Sequence, residues 1–360
     1  MRIVTFHLYN DYSGSPKVLR IVVEGLVAKR HEVTIVTSKT NGVLDELRST
    51  DNIAYDYFHY HPSNNKFIWI LHFIWAQYSL FFKAFKHKGS SVFYINTIMP
   101  VGAAIAGKLL GKKIVFHYHE NAFIKSSFYR VLHKIMLFLA NEVICVSQYQ
   151  RSFLADNKNI AVVYNALPKS FIDKLTPDMN AAYNRKNILM ISSLLLYKGP
   201  IEFICLAQRL CEYNFTLVLN ESEDVIKEFI NNNSLVVPKN MQIYPRQSDV
   251  SKFYNNASIL LNLSDRKKII ETFGMTVLEG MSAGLPVIVP TVGGVAELVK
   301  NGRNGYKIDV QELNSIASKI QEMLQDKNLY FELSKGALLT ASKYSCEQMC
   351  HDIENILSGN

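Results

Sequence analysis

Short apolar runs rich in β-branched and aromatic residues recur along the chain, separated by longer stretches of helical periodicity. A parallel sheet built from β-α-β units leaves that alternation in a sequence. In the first half, strands are expected at residues 3–6, 32–37, 53–58, 91–96, 113–119, 142–147 and 160–165. A second series follows the polar, Pro-containing passage KLTPDMNAAYNRKN (174–187), at 188–192, 215–220, 241–245, 258–264, 286–290 and 305–308. The domain boundary therefore belongs near residues 168–186. From residue 310 the pattern is helical to the end, with SKYSCEQMCHDIENIL as the last helix. The class is α/β, with one Rossmann-like domain over 1–170 and a second over 186–343.

One apolar stretch stands apart, KFIWILHFIWAQYSLFFKAFKHK (66–88). Its run from Phe67 to Phe82 is interrupted by His72 and Gln77 and is shorter than the roughly 20 residues a spanning helix needs. It is not expected to cross a bilayer. One reading makes it a crossover helix buried in the first domain. The other makes it an interfacial helix that places Trp69, Trp75 and Phe side chains in the headgroup layer and brings Lys83, Lys86 and Lys88 to anionic lipid.

A length of 360 residues fits two cores better than one, and 48% apolar against 19% charged residues argues against disorder. The formal charge of +8 is unevenly spread: residues 1–170 carry +10 and residues 171–360 carry −2. A basic half suits nucleic acid, an anionic membrane or a phosphorylated ligand. No nucleic-acid module is recognisable, so no nucleic-acid partner is expected and the other two remain. The N-terminus enters a strand-like run without the pattern of a signal peptide, which points to the cytoplasm. The five scattered cysteines read as reduced thiols, and none has a partner set with metal-ligand spacing.

The densest chemistry lies in IIETFGMTVLEGMSAGLPVIVP (269–290). A helix is expected from near Gly274 to Ala283, with Gly284 just past its end and Pro286 blocking continuation. Gly274 would let a ligand approach the backbone, and the first-turn amides around Phe273, Gly274 and Met275 favour an anion. Glu271 and Glu279 would then accept hydrogen bonds from hydroxyls of the same ligand. A second Gly-rich turn, TVGGVAELV (291–299), follows the next strand, and open α/β sheets place ligands at such strand ends. Lys198 follows the first strand of the second domain, where it is either an ordinary loop lysine or a cation for a diphosphate. Gly14 and Ser15 make a strand-to-helix turn able to approach an anion. His117 and His119 are expected on opposite faces of a strand end, one packing inward and the other able to bind substrate or relay a proton. No Asp-x-Asp pair, Walker loop, nucleophile elbow or dinucleotide fingerprint occurs.

Taken together, ETFGMTVLE, MSAGLPVIVPTVGGVAELVKNGRNGYKI, VSQYQRSFL with VYNALP, HYHE and SLLLYKG resemble the retaining GT-B glycosyltransferases of family 4 over nearly the whole chain. The resemblance implies two Rossmann-like domains facing across a cleft, with the terminal helix (344–360) crossing back onto the first. It implies a nucleotide-sugar donor, UDP- or GDP-linked, on the second domain and a saccharide or lipid-linked acceptor on the first, without cofactor or metal. Carried over by position, Glu271 contacts donor-sugar hydroxyls, Glu279 the ribose, Lys198 the diphosphate, and the amides of Phe273, Gly274 and Met275 the phosphate and sugar. His119 lies at the donor sugar, Gly14 and Ser15 near the diphosphate, and Arg246, in YPRQS, near the base. Catalysis is then leaving-group stabilisation, with His119 and Glu271 nearest the chemistry.

The sequence departs from the family pattern at Ser193, where an Arg is usual five residues before the phosphate-binding Lys. Arg266, Lys267 and Lys268, in DRKKIIETFG, are the candidate replacements for that charge. A nucleotide-sugar 2-epimerase and a non-catalytic nucleotide-sugar-binding protein are the rival readings. The basic first domain and the 66–88 segment suggest an acceptor presented at the inner face of the cytoplasmic membrane, in bacterial surface-polysaccharide synthesis.

Overall fold

The computed structural model describes residues 1–122, 126–154 and 159–359. The chain divides into two compact units, one formed by residues up to Ala166 together with the stretch from Ser345 onward, the other by Leu167–Tyr344. The polar passage at 174–187 lies inside the second unit, where Asp178 caps the helix Met179–Arg185 by accepting from the Ala181 amide. A Pro-Asp step that resembles a linker is therefore the start of a helix.

The first unit holds β1 (Arg2–Phe6), β2 (Glu32–Ser38), β3 (Ile53–Phe58), β4 (Val92–Asn96), β5 (Lys113–Tyr118), β6 (Glu142–Cys145) and β7 (Asn159–Val162). They form a parallel sheet in the order β3-β2-β1-β4-β5-β6-β7. The second unit holds β8 (Asn187–Ser192), β9 (Asn214–Leu219), β10 (Met241–Tyr244), β11 (Ile259–Leu261), β12 (Val287–Val289) and β13 (Gly305–Lys307). Their order is β10-β9-β8-β11-β12-β13, again parallel. The order reverses between β1 and β4 in one sheet and between β8 and β11 in the other, and a crevice opens at such points. Central strands such as β4, with all five residues buried, explain why the sequence shows continuous apolar runs.

The helices that connect the first four of these strands to their successors include α1 (Gly14–Ala28), α2 (Lys66–Lys86) and α3 (Val101–Leu109). The last helix, Cys346–Ser358, packs on α1. Gly25 makes that contact close, since a Cβ there would lie 2.3 Å from Cys350 Sγ. Glu354 adds an ion pair to Lys29 and a 2.7 Å contact to His31 Nε2.

Helix α2 is a crossover helix, but it is not buried in the domain. Only Phe73, Ala76, Leu80 and Ala84 are enclosed, while Phe67 is 70% and Trp75 60% exposed. Trp69 does not join that outward face, because its ring stacks on Phe73 at 5.6 Å and meets Phe128 edge-on at 5.1 Å. Lys83 is likewise held inward by Asp56. The polar interruption at Gln77 has a purpose in packing, since its Oε1 accepts the Gly102 amide of α3 at 2.9 Å. The neighbouring helices continue the apolar exposure, with Leu109 at 68% and Phe138 at 75%. Among the described residues, no helix is long and apolar enough to cross a membrane.

Candidate active site

In the second unit, Lys198 ends the 3-10 turn Leu196–Lys198 that leaves β8. Its ammonium donates to Glu271 Oε1, and Ser264 Oγ donates to the same oxygen at 2.9 Å. Ser264 follows β11 and is itself oriented by Asn262, whose Oδ1 accepts the Ser264 amide at 3.1 Å. Both partners of the ion pair are largely shielded from water. Burial works to raise the Glu271 carboxyl, but the Lys198 charge and hydrogen bonds from Lys198, Ser264 and Asn262 outweigh it and hold the group below the usual glutamate range.

The Gly-Gly turn after β12 clamps the backbone of Glu271. Gly294 donates its amide to the Glu271 carbonyl at 2.8 Å. Gly293 sits at φ 112°, and a Cβ there would lie 2.7 Å from that same carbonyl oxygen. Any other residue at 293 would carry both a backbone strain and a collision with the segment that aims the carboxylate.

The helix Met275–Ser282 begins one residue after Gly274, at φ 99°, and no side chain caps its N-terminus. The opening at Gly274 is filled by the protein, since a Cβ there would lie 2.6 Å from Val295 Cγ2. Phe273 is buried with its ring 5.8 Å from Tyr344, so this stretch offers a ligand backbone rather than that side chain. Gly284, at φ 78°, follows the helix as the sequence predicts. The buried Tyr254 donates its hydroxyl to Glu279 Oε2, which fixes the direction of that carboxylate. Arg246 holds the loops after β9 and β10 together, with Nε 2.7 Å from Asn220 Oδ1.

The three candidate replacements for the charge missing at Ser193 differ. Arg266 is committed elsewhere, with Nε 2.9 Å from the buried Asp309 and Nη1 3.1 Å from Thr291 Oγ1. Lys268 lies 3.8 Å from Asp265. Lys267 is exposed and has no ion-pair partner among the described residues.

In the first unit the same kind of sheet edge carries two imidazoles bridged by an amide. His119 Nε2 is 2.9 Å from Asn96 Oδ1, and Asn96 Nδ2 is 3.0 Å from His7 Nδ1 and 3.2 Å from the Ser15 carbonyl. His117 and His119 are not on opposite faces. Residues two apart on an extended chain share a face, and their ring centroids are 4.1 Å apart. His117 is fully buried against the Tyr94 hydroxyl. Burial lowers His7 to about 4 and His117 to about 3, and burial together with the neighbouring His117 and His7 takes His119 well below the ordinary value. Gly14 opens α1, and among the described residues nothing lies within 4 Å of a Cβ built there.

The structure thus joins Lys198 with Glu271, and links His119 to the Ser15 carbonyl only through Asn96. Sequence reading missed Asn262, Ser264, Tyr254, His7 and Asn96. All but Tyr254 are polar residues at or just beyond the carboxyl end of an apolar strand, and that position was the available signal. Among the described residues, no group of three or more His, Cys, Asp or Glu is placed to hold a metal ion.

Residues 172–339 match the family model for glycosyl transferases group 1, and residues 12–170 match that for Glycosyltransferase Family 4. An uncharacterized glycosyltransferase of Methanocaldococcus jannaschii is 27% identical over 266 residues, 71% of each chain. Sucrose-phosphate synthase 4 of Arabidopsis thaliana is 26% identical over 153 residues, which are 39% of this chain but only 14% of that enzyme. The crystal structure of Anabaena Alr3699/HepE in complex with UDP and glucose superposes with a TM-score of 0.80 at 20% identity, covering 100% of both chains, a likeness of fold.

Proposed function

The chain belongs to the group 1, family 4 glycosyltransferases, and from that premise we propose that it moves a sugar from a nucleoside-diphosphate sugar to a saccharide hydroxyl with retention at the anomeric carbon. The observation that carries this reading is the Lys198–Glu271 pair at the same sheet edge as the uncapped start of the helix Met275–Ser282. A cation and first-turn amides at the carboxyl edge of a parallel sheet suit a diphosphate. An arriving diphosphate competes for the Lys198 ammonium, and Glu271 is then released to accept hydrogen bonds from sugar hydroxyls. Glu279, already oriented by Tyr254, is the ribose contact, and Arg246 borders the base.

In the transfer, the bond from C1 to the β-phosphate oxygen breaks and its electron pair leaves with the diphosphate. The acceptor oxygen bonds C1 on the same face, and its proton passes to the departing phosphate oxygen. Lys198 and the helix start stabilise the charge that develops there. Lys267 and Lys268, rather than Arg266, stand in for the cation absent at Ser193. Uridine is the favoured base, since the Anabaena relative was crystallised with UDP.

The acceptor is a saccharide on a lipid carrier, of the kind used in bacterial surface-polysaccharide synthesis. The +10 charge of residues 1–170 and the exposed apolar faces of α2, α3 and the helix Ser127–Leu139 support it, because a peripheral contact with an anionic bilayer needs both. Co-sedimentation with phosphatidylglycerol vesicles is expected to fall in a Phe67→Ser/Trp75→Ser variant, and equal binding would remove the membrane contact. The donor reading is tested by thermal shift against UDP, GDP and ADP without metal. UDP is expected to raise the melting temperature, and Lys198→Ala to abolish the rise. No shift with any nucleoside diphosphate would overturn the donor site.

A further inference from the structure

We propose that Asn96 is a positioning residue that fixes the tautomers of two imidazoles at the carboxyl edge of the first sheet, holding the proton on Nε2 in both His119 and His7. For the ligand these groups address, the transferred sugar, the inference rests on the glycosyltransferase reading. The tautomers themselves follow from the hydrogen-bond chain alone.

The chain is anchored by an atom whose role is not open to choice. The Ser15 carbonyl only accepts, so the Asn96 atom 3.2 Å from it is the amide nitrogen. The other terminal atom of Asn96 is then the carbonyl oxygen, and His119 Nε2, 2.9 Å away, must donate to it. A neutral imidazole with its proton on Nε2 has its lone pair on Nδ1. The second hydrogen of the same Asn96 nitrogen points at His7 Nδ1, 3.0 Å away, so His7 accepts there and carries its proton on Nε2. Asn96 is fully buried at the end of β4, next to the reversal of strand order, and uses both its donors and its acceptor in this way.

The second observation concerns the other nitrogen of His7. His7 is 4% exposed, and its Nε2 makes no hydrogen bond of full geometry among the described residues, although the backbone of Asn96 and Tyr9 lies near the ring. A buried N–H engaged so weakly is uncommon, and at a sheet edge that reads as a ligand site it can turn to a ligand oxygen. Burial keeps both imidazoles neutral at physiological pH, as tautomer control requires. The titratable groups near the two rings include His117 in β5, Asp11, whose charge acts on His7, and Glu120, whose carboxylate accepts the His119 and Ile98 amides at 3.3 Å. A ring held in one tautomer and one orientation presents a ligand with one fixed pattern of donor and acceptor.

The direct test is nitrogen-15 NMR of histidine-labelled full chain at pH 7. His7 and His119 are both expected neutral with the proton on Nε2; an Nδ1–H tautomer or an imidazolium at His119 would overturn the assignment, whether or not the protein transfers sugar. In kinetics, Asn96→Ala is expected to lower kcat roughly 10- to 100-fold with the donor KM held within about twofold. Asn96→Asp keeps the acceptor for His119 but loses both donors and sets a carboxylate beside the ring. It is expected to give the kcat profile an acidic limb absent from the parent, as His119 gains a proton. A melting temperature lowered in either variant with kcat and pH profile unchanged would reduce Asn96 to a packing residue. An effect of His119→Ala without an effect of Asn96→Ala would sink the positioning role while leaving the glycosyltransferase reading intact.

Discussion

At the strand-order reversal of the second sheet, Lys198 and Glu271 meet as an ion pair, whereas at the same reversal of the first sheet His7, Asn96 and His119 form a chain without formal charge. The surfaces are arranged the other way round, since residues 1–170 carry +10 and residues 171–360 carry −2. Topology fixes where a ligand is addressed, and the residues at the strand ends decide how. An ion pair suits a diphosphate whose charge grows as it leaves, while a neutral hydrogen-bond chain suits hydroxyls that need fixed donors and acceptors.

The largest expected effect comes from removing the charge of the ionic edge. Lys198→Ala should lower kcat/KM about 1,000-fold, about 4 kcal/mol, because the developing phosphate charge loses its cation and Glu271 loses its counter-charge. Steady-state kinetics in donor concentration would measure it, with Lys198→Arg restoring part of the rate. A loss below tenfold would place the diphosphate elsewhere.

Acid should break the two edges at different pH. A histidine with a lowered folded pKa contributes its full stability only above its unfolded value, near 6.5. That contribution is lost as pH falls toward about 4 for His7 and about 3 for His117. For His7 alone the change amounts to about 3 kcal/mol. Glu271 is also lowered, so its contribution persists until the pH drops through the ordinary glutamate range toward its lower folded value. The first unit is therefore expected to weaken first, between about pH 6.5 and 4.5. Both tryptophans, Trp69 and Trp75, lie in that unit, so their fluorescence should shift at lower denaturant than far-ultraviolet circular dichroism at pH 5, while the two coincide at pH 7.5. Coincident curves at pH 5 would refute the asymmetry.

Smaller effects separate the charges of the Asp265–Lys268 loop. Arg266→Ala leaves the buried Asp309 without its guanidinium and is expected to cost about 1–3 kcal/mol of stability, read as a lower melting temperature. Lys267→Ala should leave the melting temperature alone and raise the donor KM about threefold, an effect that salt screens. A stability loss in the Lys267 variant, or a donor effect only in the Arg266 variant, would reverse these assignments.

The thirteen strands among the described residues were legible as short apolar runs, unbroken where a strand is covered on both faces. The helix Met275–Ser282 was legible because Gly284 and Pro286 stop it for local steric reasons. Lys198 and Glu271 were legible as candidates through strand-end position and family resemblance, but their pairing spans 73 positions and has no local signature. The pairing of His117 with His119 was misjudged at the sequence level, although the two-residue period of an extended chain places them on one face. Trp69 and Trp75 look alike in the sequence. Trp69 lies one turn before the buried Phe73 and packs on it and on Phe128, while Trp75, six residues on, falls on the exposed face.

The sequence by itself determined the alternation of strands and helices, the two-unit α/β class, the Gly-rich turns and the excess of positive charge in the first half, because each follows from local sterics, hydropathy or composition. Tertiary structure alone decided that Gly293 and Gly294 serve Glu271, that Arg266 is spent on Asp309, and that Asn96 stands between His7 and His119. These are meetings of residues 22 to 89 positions apart. Hydrogen-bond direction and steric exclusion at such contacts depend on distances of a few ångströms, which sheet order and register set only once the chain has folded.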